Sequence, residues 1–264
     1  MMSLTLILAG YLWAGIGPED QPLAVRFAPP AGYRRRDVAS DSFGSWLRGL
    51  PLKPGRPPVR LFDGRLKSNQ SVHLAVVDID VGPQDLQQCA DAVMRLRGEY
   101  LYSAGRTGDV AFHFTSGDLA RFDDWAEGQR PRVAGSAVHW SRTAAPDASY
   151  RNFRGFMETV FRYAGSKSLA DELAPVSVRD IRPGDVFVQG GFPGHAVLVV
   201  DVAEGHDGRR VFVLAQSYMP AQEIHILKNP ATGDAWFAVA PGQRLETPEW
   251  SFPPDSSRMF PDRR

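Results

Sequence analysis

Three positions in the sequence have the residue types of a cysteine-dependent hydrolase: Cys89, His195 and Gln216. A cysteine acts as a nucleophile when a neighbouring imidazole or a helix N-terminus supports its thiolate, and the imidazole needs a polar group that orients it. Cys89 is the single cysteine of the chain, and His195 follows the glycine-rich run 190–194, which would leave its ring accessible. The amide oxygen of Gln216 is suited to accept the ring N–H and to hold one tautomer.

A predicted β-hairpin brings His195 and Gln216 close together. A turn signal at 205–208 separates the two strand-like runs that contain these residues. When the turn is centred on His206, the second residue of this signal, cross-strand pairing places His195 opposite position 217. We therefore expect Gln216 and Ser217 to lie beside the ring. His225, on the following strand-like run, is a reserve base.

Helical periodicity and strand-like runs predict an α+β fold. Apolar residues at steps of three and four predict a helix over 84–103, and Pro83 favours a start that would put Cys89 more than one turn inside this helix. A strand over 71–80 precedes it, and a helix over 152–164 follows. Five closely spaced strand-like runs in the last third of the chain indicate an antiparallel, meandering sheet. One long helix packed on this sheet is the predicted core.

Composition shifts divide the chain into segments. Proline and glycine interrupt the regions before and after the predicted core too often for long helices or central strands. We predict an irregular arm that wraps the core and a tail on the surface. The expected segments are a candidate signal peptide at 1–16, a Pro- and Arg-rich arm at 17–67, a single α+β domain at 68–246 with a helix-bearing insert at 104–180, and a Pro-rich tail at 247–264.

The charge and cysteine content exclude several classes of protein. Lys and Arg number 30, as do Asp and Glu, so no net charge attracts nucleic acid. A single cysteine excludes a disulfide framework and multi-cysteine metal clusters, and the glycine-rich run lacks the Lys-Ser/Thr of a phosphate loop, so we expect no cofactor and no metal. The apolar segment 4–16 has the length of a signal-peptide core and is shorter than the ~20 residues of a membrane helix. We therefore expect an exported protein, periplasmic or extracellular, without an integral membrane span.

Two groups of motifs resemble known families. The run Gly184-Asp185-Val-Phe-Val-Gln189, followed by Gly194-His195-Ala-Val-Leu-Val-Val-Asp201, looks like the signature of the papain-like murein amidases and endopeptidases of the NlpC type and of the related CHAP amidases. Four runs that span nearly the whole chain are similar to a bacterial family described as domain of unknown function 4846: QQCADAVMRLR, YRNFRGFMETVFRYAG, GDVFVQGGFPGHAVLVVD and LAQSYMPAQEIHILKNP. The second resemblance brings no assigned activity.

The papain-like resemblance implies roles for individual residues. It implies a papain-like core in which Cys89 is the nucleophile, His195 the base and Gln216 the orienting residue, with the backbone N–H of Cys89 as oxyanion donor. The implied activity is hydrolysis of an amide through a thioester, with a peptide or cell-wall substrate. The residues expected to bind that substrate are Gln88, Gly194, Ser217 and Tyr218.

Two other functions stay open at the level of sequence. Cys89 shares the apolar stripe of Leu86, Val93 and Leu96, and free cysteine is among the most buried residue types, which suits a binding or scaffold protein with an inert cysteine. A transferase that acts on lipid or acyl chains through the same acyl-enzyme is the third class, and it would need a wide apolar groove.

Overall fold

A computed structural model of the chain describes residues 11–13, 17 and 19–262. The candidate signal peptide at 1–16 lies outside these residues except for 11–13. In that short piece Tyr11 and Trp13 are buried, and both rings pack against Trp46.

The α-helices of the described chain lie before residue 173, and mainly strands follow them. The helices are α1 (Leu23–Arg26), α2 (Phe43–Arg48), α3 (Cys89–Ser103), α4 (Phe122–Ala126), α5 (Tyr150–Tyr163) and α6 (Ser166–Glu172). The strands are β1 (Gln21–Pro22), β2 (Tyr33–Arg35), β3 (Pro51–Leu52), β4 (His73–Val76), β5 (Ala111–His113), β6 (Leu119–Arg121), β7 (Gln129–Ala134), β8 (Ala137–Arg142), β9 (Ala174–Pro175), β10 (Val186–Gln189), β11 (His195–Gly205), β12 (Arg210–Gln216), β13 (His225–Leu227), β14 (Trp236–Phe237), β15 (Leu245–Glu246), β16 (Ser251–Phe252) and β17 (Ser257–Met259). Among these elements, none has the length and apolar character of a membrane-spanning helix.

An antiparallel sheet of nine strands organises the described residues. Its strand order is β4, β13, β12, β11, β10, β17 and β9, with β14 also paired to β12 and β2 to β11. The consecutive strands β10 to β13 form the meander that the sequence predicts. The molecule is therefore a sheet-rich α+β protein.

Both faces of the sheet are buried, because β11 is apolar on both sides. Side chains at successive strand positions point to opposite faces. Ala196 and Leu198 belong to the core that also contains the apolar side chains of α3, whereas Val197 and Val199 belong to a second core. The sheet therefore holds α3 against the strand that begins at His195.

Helix α3 starts later than the sequence predicts. Its first residue is Cys89, five residues beyond the predicted start, and Gln88 is the N-cap. The Asp91 carboxylate accepts the Gln88 N–H at 3.0 Å and caps the helix at this point. The residues just before Cys89 are not helical, because the Asp85 carboxylate accepts a hydrogen bond at 2.6 Å from a backbone N–H of the loop after β12. Cys89 therefore lies in the first turn of α3, where the helix dipole acts on it.

The insert supplies a second helix of nearly the same length, which corrects the prediction of one long helix. Helix α5 has 14 residues and α3 has 15, and α5 matches the predicted helix closely. The two helices approach at Gly98, where a Cβ atom would lie 3.0 Å from the sulfur of Met157. A side chain at position 98 would therefore require the side chains of Met157 and Phe153 to shift.

The C-terminal tail is part of the core and does not simply wrap the surface. Strand β17 lies between β10 and β9 in the main sheet, and Ser257 and Phe260 are buried. The prolines of the tail flank this strand, so its N–H groups remain free to pair. Proline content alone was therefore a poor guide to the position of this segment.

A buried carboxylate fixes the N-terminal arm to the sheet. Asp201 is fully buried, and its two oxygens accept hydrogen bonds from Arg35 Nε and Arg48 Nε, each at 2.6 Å. A β-bulge between Val199 and Asp201 shifts the register so that Asp201 pairs with Val213. The bulge thereby sets which face of the sheet receives the two arginines.

Replacing Asp201 by Asn should destabilise the protein strongly. The substitution leaves two guanidinium groups without their buried counter-charge, and breaking a buried pair in this way costs about 3–5 kcal/mol. Urea unfolding followed by circular dichroism measures the change in the free energy of unfolding. Asp171→Asn is the control, because its pair with Lys167 is exposed and contributes at most about 0.5 kcal/mol. A loss below about 1 kcal/mol in Asp201→Asn would contradict the assigned role.

Candidate active site

Cys89 is the first residue of α3 and contacts the start of β11. The backbone N–H groups of Ala196, Ala90 and Cys89 lie near enough to the sulfur to lower the pKa of the thiol, against the larger effect of burial. The first N–H groups of a helix have no acceptor within the helix, so they are available to the sulfur or to a bound group. Because Ala196 directly follows His195, the sulfur lies beside the first residues of the strand that carries the predicted base.

Cys89 and His195 line one cavity of about 630 Å³. Its walls include residues 191–194 of the loop before β11, and Tyr218 and Met219 of the loop after β12. The volume lies in the range of small-molecule sites, ~300–1,000 Å³. Cys89 is 8% exposed and His195 is 1% exposed, so both groups are largely shielded from bulk water.

The ring of His195 is held by a hydrogen bond and by aromatic contacts. Its Nε2 atom lies 3.0 Å from Oε1 of Gln216. The rings of Tyr218, Trp250 and Phe252 lie with their centroids 4.9, 5.3 and 5.7 Å from the imidazole centroid. These contacts restrict the ring to one position.

The amide group of Gln216 has one orientation. Its nitrogen donates to the Glu249 carboxylate at 2.8 Å and to Nε2 of His225 at 3.2 Å. The Nδ1–H of His225 donates to the carbonyl of Glu223 at 2.9 Å, so Nε2 of this neutral ring is an acceptor. Both N–H groups of the amide are used, and the amide oxygen is left to face His195.

This orientation sets the tautomer of His195. An amide oxygen can only accept a hydrogen bond, so the proton of His195 is on Nε2. The lone pair of Nδ1 is then the basic position of the ring, available to take a proton from an acid beside it. The contact between His195 and Gln216 is the one that the predicted hairpin implies.

Glu249 is held in turn by Lys67. The Nζ atom of Lys67 lies 2.7 Å from Oε1 of Glu249, and the two side chains are 5% and 13% exposed. The same Nζ atom lies 5.0 Å from the ring centroid of Tyr218. A continuous chain of contacts therefore runs from His195 through Gln216 and Glu249 to Lys67.

Burial keeps the two candidate reactive groups neutral. It raises the pKa of Cys89 to about 11, and the charge of Asp91 acts in the same direction. Burial lowers the pKa of His195 to about 4, whereas the hydrogen bond to Gln216 raises it and the charge of Lys67 lowers it. At pH 7 the resting pair is a thiol and a neutral imidazole.

Three of the four residues expected to bind substrate line the cavity: Gln88, Gly194 and Tyr218. A Cβ atom at Gly194 would lie 2.6 Å from the carbonyl oxygen of Gly191 and would also clash with the Ser166 hydroxyl. Only glycine therefore fits at this bend in front of His195.

Ser217 takes a different place from the one expected. It is fully buried and does not line the cavity. Its hydroxyl lies 3.0 Å from the carbonyl oxygen of Gln87 and 2.8 Å from that of Gln222. Ser217 thus ties the segment before α3 to the end of β12, which is a structural role.

Sequence reasoning missed Lys67, Glu249 and Trp250, which belong to the arm and the tail. It also named His225 as a reserve base, but burial lowers the pKa of this ring to about 3, and its observed contact is with Gln216. One signal was available, because Lys67 is one of only four lysines in the chain. Within the described residues, no three His, Cys, Asp or Glu side chains are arranged to hold a metal ion.

Comparison with known proteins gives one match. A family model described as "Domain of unknown function (4846)" matches residues 23–258. No curated protein and no solved structure matches the chain. The resemblance of the core to papain-like amidases is therefore carried by the residues quoted above and by no relative.

Nitrogen NMR of the histidine rings should report the tautomer of His195. We expect His195 to carry its proton on Nε2 at pH 7 and to stay neutral down to about pH 5, because burial lowers its pKa to about 4. In Gln216→Leu the acceptor is lost and both neutral tautomers should be populated. The His195→Gln variant assigns the signals. A charged ring at pH 6, or a proton on Nδ1 at pH 7, would contradict the geometry.

Proposed function

The chain belongs to the family described as domain of unknown function 4846, and from its site we propose that the protein is a cysteine-dependent amide hydrolase. The observation that carries the proposal is the shared cavity of Cys89 and His195. The Nε2–H group of His195 donates to the amide oxygen of Gln216. This geometry leaves a basic nitrogen on a ring that lines the same cavity as a cysteine in the first turn of a helix. The finer resemblance to papain-like amidases of the NlpC type belongs to the same proposal.

Acylation would proceed by nucleophilic attack of the Cys89 sulfur on the carbonyl carbon of the substrate. His195 Nδ1 takes the thiol proton as the carbon–sulfur bond forms, and the carbonyl oxygen becomes an oxyanion. The backbone N–H of Cys89, which has no acceptor within the helix, is placed to donate to that oxyanion. His195 then gives its new proton to the amine nitrogen as the carbon–nitrogen bond breaks, and a thioester remains on Cys89.

Deacylation would use the same groups in reverse roles. His195 Nδ1 takes a proton from a water molecule that attacks the thioester carbon. The carbon–sulfur bond breaks, the thiol of Cys89 regains a proton from the imidazolium, and the acid is released. Gln216 contributes by holding the ring at its Nε2 side, and Glu249 contributes by holding the amide of Gln216.

A non-catalytic binding protein is the second candidate. The observation that favours it is the burial of Cys89, which raises the thiol pKa to about 11 and leaves very little thiolate at pH 7. The two candidates differ in the role of His195, because a hydrolase needs the imidazole to remove the thiol proton and a scaffold does not.

An acyl-enzyme on Cys89 is the expected first product. Incubation with 4-nitrophenyl acetate should add one acetyl group to Cys89, detected by intact mass and peptide mapping. Cys89→Ala should abolish this adduct, and His195→Ala should slow its formation about 10²–10⁴-fold, the usual contribution of a general base. Asp171→Asn, on the exposed face of α6, should behave like the wild type.

Two results would reject the hydrolase. One is turnover that survives Cys89→Ala or prior treatment with iodoacetamide. The other is an acyl adduct that forms at the same rate with and without the imidazole of His195.

A further inference from the structure

Two exposed apolar side chains stand at the cavity that contains Cys89. Phe192 is 88% exposed and Met219 is 62% exposed, and both line the cavity. Phe192 is carried by the loop that leads into His195, and Met219 by the loop that follows Gln216. We call these two side chains the apolar rim.

The apolar rim is a local concentration of exposed hydrophobic residues. Only five large hydrophobic side chains are exposed among the described residues, and the other three, Leu12, Val25 and Leu66, do not line this cavity. Scattered exposed hydrophobic residues are normal, whereas a group beside a cavity marks a surface that a ligand covers. The rim is therefore best explained by a bound apolar group.

The interior of the cavity continues this apolar surface toward the sulfur. Leu86 and Ala90 flank Cys89 in the chain, Phe161 and Ala164 come from the end of α5 and the residue after it, and Trp250 closes the wall near His195. A group bonded to the sulfur would extend into the space that these side chains line. The lining also includes the polar side chains of Asp85, Gln88, Arg162 and Ser166. Its exposed surface is nevertheless mostly apolar, so an apolar group covers it better than a polar peptide does.

We propose that the cavity and the apolar rim bind the acyl part of the substrate, and that this part is an apolar acyl chain of four or more carbons. The inference rests on the proposed hydrolase and deepens it by naming the substrate class. It also departs from the expected cell-wall substrate, because a short polar peptide leaves Phe192 and Met219 uncovered. Met219 is suited to chains of different shape, since methionine adapts its packing.

A series of 4-nitroanilides with acetyl, butanoyl, hexanoyl and octanoyl groups tests the proposal. Each methylene buried in the cavity should raise kcat/KM about fourfold until the cavity is filled. A polar dipeptide 4-nitroanilide of similar size should be a poorer substrate than the hexanoyl compound. The full-length protein is used throughout.

The double variant Phe192→Ala/Met219→Ala assigns the effect to the apolar rim. The ratio of kcat/KM for octanoyl to acetyl substrate should fall at least about tenfold in this variant. Val25→Ala, which removes an exposed apolar side chain outside the cavity, should keep both the ratio and the activity of the wild type. Circular dichroism verifies that each variant is folded.

The outcomes separate this inference from the proposed function. Acylation of Cys89 with equal kcat/KM along the series, or an unchanged ratio in the folded double variant, would overturn the acyl-chain proposal and leave the hydrolase standing. A wild-type dimer that becomes monomeric in the double variant, without chain-length dependence, would identify the rim as an interface and overturn the proposal. If no acyl compound modifies Cys89, the hydrolase fails and the inference with it.

Discussion

The amide group of Gln216 contacts three side chains, and each of them limits its orientation. Glu249 and His225 accept its two N–H groups, and His195 donates to its oxygen. Because the amide cannot turn without losing these bonds in a buried environment, the proton of His195 stays on Nε2. The basic nitrogen of the ring is then Nδ1. The proposed chemistry depends on this one constraint, since a ring with the opposite tautomer would present an N–H at Nδ1 and would direct its acceptor, Nε2, toward Gln216.

The constraint is maintained by residues that are distant in sequence. Lys67 and Glu249 are 182 positions apart and form a buried ion pair behind Gln216. Such a pair contributes little net stability, because removing two charges from water is costly, but loss of one partner would leave the other unpaired. We interpret the role of the pair as holding the Glu249 carboxylate in position for the Gln216 amide. It also explains why the arm and the tail, both rich in proline, are packed into the fold: each delivers one member of the pair.

The sequence predicted the local parts of this arrangement and missed the long-range ones. The strands of the β11–β12 hairpin follow from apolar runs around a turn signal, and simple pairing across that turn brought His195 to Gln216. The start of α3 was placed too early, because the carboxylate of Asp91 and a contact of Asp85 with a distant loop decide it, and periodicity contains neither. The places of β17, Lys67 and Glu249 depend on tertiary contacts that propensity cannot supply. The Pro-rich composition of the tail pointed away from them.

The pH dependence of kcat/KM for an amide substrate, measured for the wild type and for His195→Ala, is the most direct test of the central claim. Amide cleavage through a neutral thiol and a neutral imidazole predicts a plateau from about pH 5 to 10. Activity should fall where His195 gains a proton, near pH 4, and where Cys89 loses its proton, near pH 11. A rate that instead rises about tenfold per pH unit between pH 7 and 9, equally in both proteins, would show unassisted thiolate attack and contradict the role of the imidazole.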